Sequence, residues 1–133
     1  MTKEDKQLVF QDLCARLPYN VWCKIWLEDG TTEEGPLDLQ HNYGDVLQDA
    51  FFYHRIKDIK PYLRPMSSMT EEEIIEFNNI PSTKNYTIIE NDLPWDVAHY
   101  KQIDWLNKKM FDYRGLIPKD LAISTEVFNP YKN

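Results

Sequence analysis

Residues 59–73 carry the chain from strand-like to helix-like patterning, and their composition leaves few choices for what stands on either side. Pro61 and Pro65 remove two backbone donors and disfavour helix in the residues before them, so residues 60–66 are expected to be extended and peripheral. Thr70 then stands as an N-cap with Glu73 three residues on, completing a capping box. Glu71 and Glu72 oppose the positive end of the helix dipole, and Met69 can staple to Ile74. A helix over residues 71–79 follows, with Ile74, Ile75 and Phe77 turned inward.

Before the joint, Thr2 and Asp5 resemble a capping box. Phe10, Leu13, Cys14 and Leu17 recur at helical spacing, which predicts an amphipathic helix over residues 3–16 ended by Pro18. Residues 21–28 switch to period two, with Val21, Cys23, Ile25 and Leu27 on one face and Trp22, Lys24, Trp26 and Glu28 on the other. Asp29-Gly30 favours a tight hairpin, returning a second strand over residues 31–40 with Leu37 and Leu39 inward. Pro36 marks that strand as an edge or a bulge. Residues 41–45 read as a loop and residues 50–57 as a third strand.

After the joint, residues 86–89 offer one short apolar run. Pro94 suits the first turn of a long helix on which Trp95, His99, Ile103, Leu106 and Met110 share a stripe. That helix should end near Phe111, with Gly115 closing it in the left-handed region. Residues 116–123 read as a packed loop and short strand, and residues 124–133 as a loosely held tail. The fold class expected is α+β: an N-terminal helix, a small twisted antiparallel sheet of about three strands and two later helices. At 133 residues one domain over residues 1–123 buries roughly two thirds of its unfolded surface and needs neither metal nor disulfide to fold.

The net charge of −7 is localised: no Lys or Arg stands between Lys24 and Arg55, where Glu28, Asp29, Glu33, Glu34, Asp38, Asp45 and Asp49 fall. From residue 53 to residue 64 the sign reverses with Arg55, Lys57, Lys60 and Arg64. A whole-surface attraction to nucleic acid is thereby disfavoured, while a local contact through the rings and cations of residues 53–64 is a defined alternative. The charged start of the chain precedes no apolar run, and no window approaches the length of a membrane span. Cys14 and Cys23 form no metal or redox spacing. Together these predict a reduced cytosolic protein.

No catalytic signature emerges. Asp96 and His99 lie three apart on one helix, but a packed or partly exposed histidine explains them. His41 and His54 lack ligand spacing, Ser67-Ser68 has no neighbouring base, and four glycines leave little for a phosphate loop. No cofactor, no metal and no enzymatic activity are expected. Trp22 and Trp26, on the polar side of the first strand, are either covered by a helix or exposed as a partner site.

Three blocks carry a likeness. These are Leu13-Cys14-Ala15-Arg16-Leu17-Pro18-Tyr19, then residues 59–73, then Asp104-Trp105-Leu106-Asn107 with Phe111-Asp112-Tyr113-Arg114-Gly115-Leu116-Ile117. On these the chain resembles small proteins carried by bacteriophages and mobile elements of gut Bacteroidetes, which implies a context and no reaction. The function expected is a non-enzymatic interaction protein binding a host or phage macromolecule, such as a defence or regulatory factor. Candidate surface residues are Glu28, Asp29, Glu33 and Glu34 in the acidic hairpin, Trp22 and Trp26 beside it, and Lys60, Tyr62 and Arg64 at the joint. The alternative is a small RNA- or DNA-binding module using residues 53–64. A protein partner and a nucleic acid are thus both open at this point, and a membrane is not.

Overall fold

The computed structural model describes residues 2–37, 56–80 and 95–132, with side chains from Lys101 onward in the last segment. Helix α1 spans Lys3–Arg16 and opens on the expected capping box, the Asp5 N–H donating to the Thr2 hydroxyl at 3.0 Å. Its buried residues are Val9, Asp12, Leu13 and Arg16. The expected stripe of Phe10, Leu13, Cys14 and Leu17 is therefore turned by one residue, about 100° of helix rotation. Cys14 is exposed, and Phe10 and Leu17 are half-buried. Asp12 and Arg16 take places in the buried stripe because each pairs with the other.

Strand β1 (Trp22–Leu27) pairs antiparallel with β2 (Thr32–Pro36) on one side and with β3 (Ile56–Leu63) on the other. The β1–β2 turn is a three-residue loop closed by the Leu27 N–H on the Thr31 carbonyl at 2.9 Å, with Gly30 at φ 90°. That is the left-handed position such a loop requires. Pro36 ends β2, an edge strand as expected, and Leu37 is buried. Leu39 lies outside the described residues.

The sheet has four strands rather than three, in the order β2-β1-β3-β4. Strand β4 (Ile123–Ser124) runs parallel to β3. The strand expected over residues 50–57 meets β3 only at Ile56 and Lys57, and residues 50–55 lie outside the described residues. The segment expected to be peripheral is instead central: Ile59, Pro61 and Leu63 are buried among the core side chains. The physical reason is the phase of the ladder. Pro61 pairs with Cys23 at a position whose nitrogen faces β4, and pairing with β4 starts only at Tyr62, so the missing N–H removes no ladder bond.

The Arg64 N–H donates to the Met110 carbonyl at 2.7 Å and the Asp112 N–H to the Arg64 carbonyl at 2.8 Å, so β3 runs straight into the second half of the chain. Helix α2 (Glu71–Asn78) begins as expected, the Glu73 N–H on the Thr70 hydroxyl at 3.1 Å and the Thr70 N–H on the Glu73 carboxylate at 3.0 Å. Only Phe77 of its three expected inward residues packs, against Trp105. Ile74 and Ile75 are exposed, Ile75 at 62 %. Glu73 and Phe77, four apart, define the packed face, and Ile75 lies nearly opposite it.

Helix α3 spans Trp95–Lys108. It ends through Met110 at φ 65°, with the Phe111 N–H on the Leu106 carbonyl at 2.9 Å and the Met110 N–H on Asn107 at 3.1 Å. This is a Schellman closure on a non-glycine residue, whereas Gly115, expected to close the helix, bends the following turn at φ 76°. In that turn the Asp112 carboxylate accepts the N–H groups of Leu116 and Ile117, each at 2.8 Å. Val9 and Leu13 of α1, Cys23 and Ile25 of β1, Ile59 and Leu63 of β3, and Leu116, Leu121 and Ala122 form the main core on the inner sheet face. Each such aliphatic side chain contributes about 1.5–3 kcal/mol by leaving water. Among the described residues no helix is long and apolar enough to cross a membrane.

Candidate binding surface

Period two along β1 sends Cys23 and Ile25 into the core and Trp22, Lys24 and Trp26 to the outer face. The register places Lys60 opposite Lys24 on one side and Glu34 opposite it on the other, and Asp58 and Thr32 flank Trp26 in the same way. Tyr62 continues the row. Five of the expected surface residues, Trp22, Trp26, Lys60, Tyr62 and Glu34, therefore share one face although they come from three strands.

Trp22 and Trp26 are neither wholly covered nor wholly exposed; both are half-buried. The Lys24 ammonium lies 5.3 Å and the Lys60 ammonium 5.6 Å from the centroid of the Trp26 ring. Lysines opposite each other on adjacent strands repel. Here the ring quadrupole attracts both, and each has a carboxylate: Lys24 reaches Glu34 at 3.8 Å and Lys60 reaches Asp120 at 3.1 Å. Tyr62 is only 4 % exposed, with the Phe128 ring edge-on at 6.0 Å between centroids. Burial, together with a hydrogen bond to the Glu34 carboxylate, pushes its phenol up to about 12, so it stays a neutral donor at any physiological pH.

The residues expected to form a tail close this face at one end. The Trp22 N–H donates to the Tyr131 hydroxyl at 2.9 Å, and that hydroxyl donates to the Tyr62 carbonyl at 2.8 Å. By register these two backbone groups would meet directly, so the hydroxyl is wedged into the ladder between β1 and β3. Burial raises the Tyr131 phenol as well. Val127 and Phe128 are then left facing solvent.

The remaining candidates go elsewhere. Arg64 holds Glu73 through both carboxylate oxygens at 2.7 Å, donates to the Ser68 carbonyl at 3.2 Å, and stacks 4.1 Å from the Phe111 ring centroid. Those hydrogen bonds hold the Glu73 carboxyl down at about 2, and Arg64 is a bolt between β3 and α2 rather than a free cation. Asp29 is spent on its turn, accepting from the Thr31 N–H at 2.9 Å and the Thr31 hydroxyl at 2.6 Å, which lowers its carboxyl. Glu28 and Glu33 are exposed at the hairpin. Tyr53, His54, Arg55, His41 and the side chains of Asp96 and His99 lie outside the described residues.

A second charged cluster, absent from the sequence reading, sits on the inner side. The Arg16 guanidinium donates from Nε to the Asp12 carboxylate at 3.0 Å, and from its two terminal nitrogens to the carbonyls of Leu106 (3.4 Å) and Phe111 (2.6 Å). Arg114 takes the other Asp12 oxygen at 2.7 Å. The Tyr113 ring stacks under both guanidinium groups, at 5.4 and 4.5 Å, and its hydroxyl donates to Asn107 at 2.8 Å. Asp12 and Arg16 are fully buried. The i, i+4 spacing of Asp12 and Arg16 was the available signal for this network. Cys23 packs nearby, its thiol raised by burial and by the Asp12 charge, and this leaves it an inert core residue.

On the outer face aromatic rings stand at the centre with ion-paired lysines and carboxylates around them. A phosphate backbone would find Lys24, Lys60 and Arg64 each already held by a carboxylate. No protein-family model, curated protein or solved structure matches this chain.

Proposed function

We propose that the protein is a non-enzymatic interaction protein that binds another protein, of the host cell or of a phage, through the outer face of its sheet. The observation that carries this reading is the gathering of Trp22, Trp26, Tyr62 and Phe128 on one face, with Lys24 and Lys60 held in place over Trp26. Aromatic side chains ringed by charged groups are the anatomy from which strong protein–protein contacts are built. The counter-charges at Glu34 and Asp120 favour a protein over a nucleic acid. They cancel the positive potential a phosphate chain needs, and they can re-pair with charges of a partner. The phage or mobile-element likeness supports a regulatory or defence factor of a bacterial host as the partner.

The test is affinity capture from bacterial lysate with and without nuclease, using the wild type and a Trp22→Ala, Trp26→Ala double variant. A protein retained after nuclease by the wild type and lost by the variant is the expected result. Capture that disappears on nuclease treatment and falls steeply with salt would instead establish nucleic acid as the ligand.

A further inference from the structure

Among the described residues, strand β2 pairs only with β1 and forms an edge of the sheet, and the phase of its hydrogen bonds fixes what it offers. The Leu27 N–H donates to the Thr31 carbonyl at 2.9 Å and the Leu37 N–H to the Val21 carbonyl at 2.8 Å. With Ile25 opposite Glu33 and Cys23 opposite Gly35, antiparallel alternation turns residues 31, 33, 35 and 37 toward β1. The backbone N–H and C=O of Thr32 and Glu34 therefore point away from the sheet, with the carbonyl of Pro36 beside them. The nitrogen of Pro36 carries no hydrogen, so the edge ends there. Thr32, Glu33 and Glu34 are exposed, and space around Gly35 is open.

Charge selects the occupant of this edge. Glu33 stands on one side of the strand and Glu34 on the other, with Glu28 and Asp29 in the adjoining turn and, among the described residues, Lys24 as the cation paired with Glu34. A second copy fits poorly, because antiparallel β2 on β2 centred on this segment brings the Glu33 and Glu34 carboxylates of the two copies close together. An extended chain carrying Lys or Arg would satisfy the outward backbone groups and neutralise both carboxylates. We propose that β2 accepts an added strand from a basic, extended segment of a partner protein. This rests on the reading of the protein as a partner-binding module, but it uses backbone groups and carboxylates instead of the outer-face rings, so the two can fail separately.

The experiment titrates the isotope-labelled full chain with three probes: a short peptide alternating Lys and Val, its Glu and Val counterpart, and the basic peptide N-methylated at alternate residues. The basic peptide is expected to shift the amide resonances of Thr32 and Glu34, with an affinity that falls as salt rises. Methylation keeps the charge and removes the donors, and should weaken binding by about tenfold or more. A Glu33→Lys, Glu34→Lys variant should prefer the acidic peptide. The Trp22→Ala, Trp26→Ala variant should keep the basic peptide within about twofold even where it loses its lysate partner, which separates the two readings. The proposal is overturned if the methylated peptide binds as well as its parent, if the Thr32 and Glu34 amides do not respond, or if they respond to concentration alone through self-association.

Discussion

The Asp12–Arg16–Arg114 cluster and the Lys24–Trp26–Lys60 cluster are assembled from the same parts: two cations, carboxylates and an aromatic ring. They differ in what surrounds them. The first is closed: both Asp12 oxygens are used, and Arg16 spans the carbonyls exposed where α3 ends. The second is open, with Asp120 91 % exposed and both tryptophans half-buried. The same chemistry thus specifies the fold where water is excluded and remains exchangeable where water is admitted.

The contrast breaks most visibly at Asp12. Asp12→Ala leaves Arg16 buried and Arg114 nearly so without a counter-charge, and urea unfolding should record a loss of about 3–5 kcal/mol. A loss below about 1 kcal/mol would place the inner cluster in the same class as the outer one.

An intermediate case sharpens it. Glu73 is folded at about 2 against about 4.3 in an unfolded chain. A depressed carboxyl contributes stability above the unfolded value and loses it as pH falls through the folded one. Between pH 4.5 and 2 the wild type should therefore lose on the order of 2 kcal/mol that Glu73→Gln, already lacking the charge, does not lose. Acid titration of unfolding free energy for the pair measures the difference.

Tyr131→Phe removes a hydroxyl that both accepts and donates, leaving the Trp22 N–H and Tyr62 carbonyl to find water. The expected cost is about 1–2 kcal/mol in thermal or urea unfolding, with faster amide exchange at Trp22. The smallest effect is expected at Asp120→Asn, where an exposed ion pair to Lys60 is lost at under about 0.5 kcal/mol. Asparagine tolerates the left-handed backbone, φ 58°, that Asp120 adopts, so strain should not confuse the reading.

Local signals carried far in this chain. Both capping boxes, the span of α1, the alternation of β1 and the Gly30 turn are legible in the sequence because each is decided within a few residues. What was not legible depends on partners distant in sequence. Pro61 reads as the mark of an extended, peripheral segment until the start of β4 shows that its nitrogen faces no acceptor in the ladder. Asp12 and Arg16 carry only their i, i+4 spacing as a local signal, and residues 106–114 bury them. Of the candidate surface, Trp22 and Trp26 share the outer face that period two gives them, Lys60 joins them only through the β1–β3 register, and Arg64 is claimed by Glu73 and Phe111. Phe128 and Tyr131 were missed because residues near the end of a polar stretch carry no periodicity. The apolar content of Phe128 and Tyr131 was the one sign that they pack.

The Arg16 guanidinium has a further consequence for the order in which the molecule assembles. Its hydrogen bonds reach across ninety and more residues, from α1 to Leu106 and Phe111. Closing so long a loop is entropically costly, and contacts of that separation tend to form after the local ones. Helix α1 and the β1–β2 hairpin can therefore be present while Arg16 is still hydrated, and the guanidinium is stripped of water only in the final docking of residues 106–114. Interactions completed after the transition state govern how fast a protein opens more than how fast it closes. The buried arginine is accordingly expected to act as a brake on unfolding.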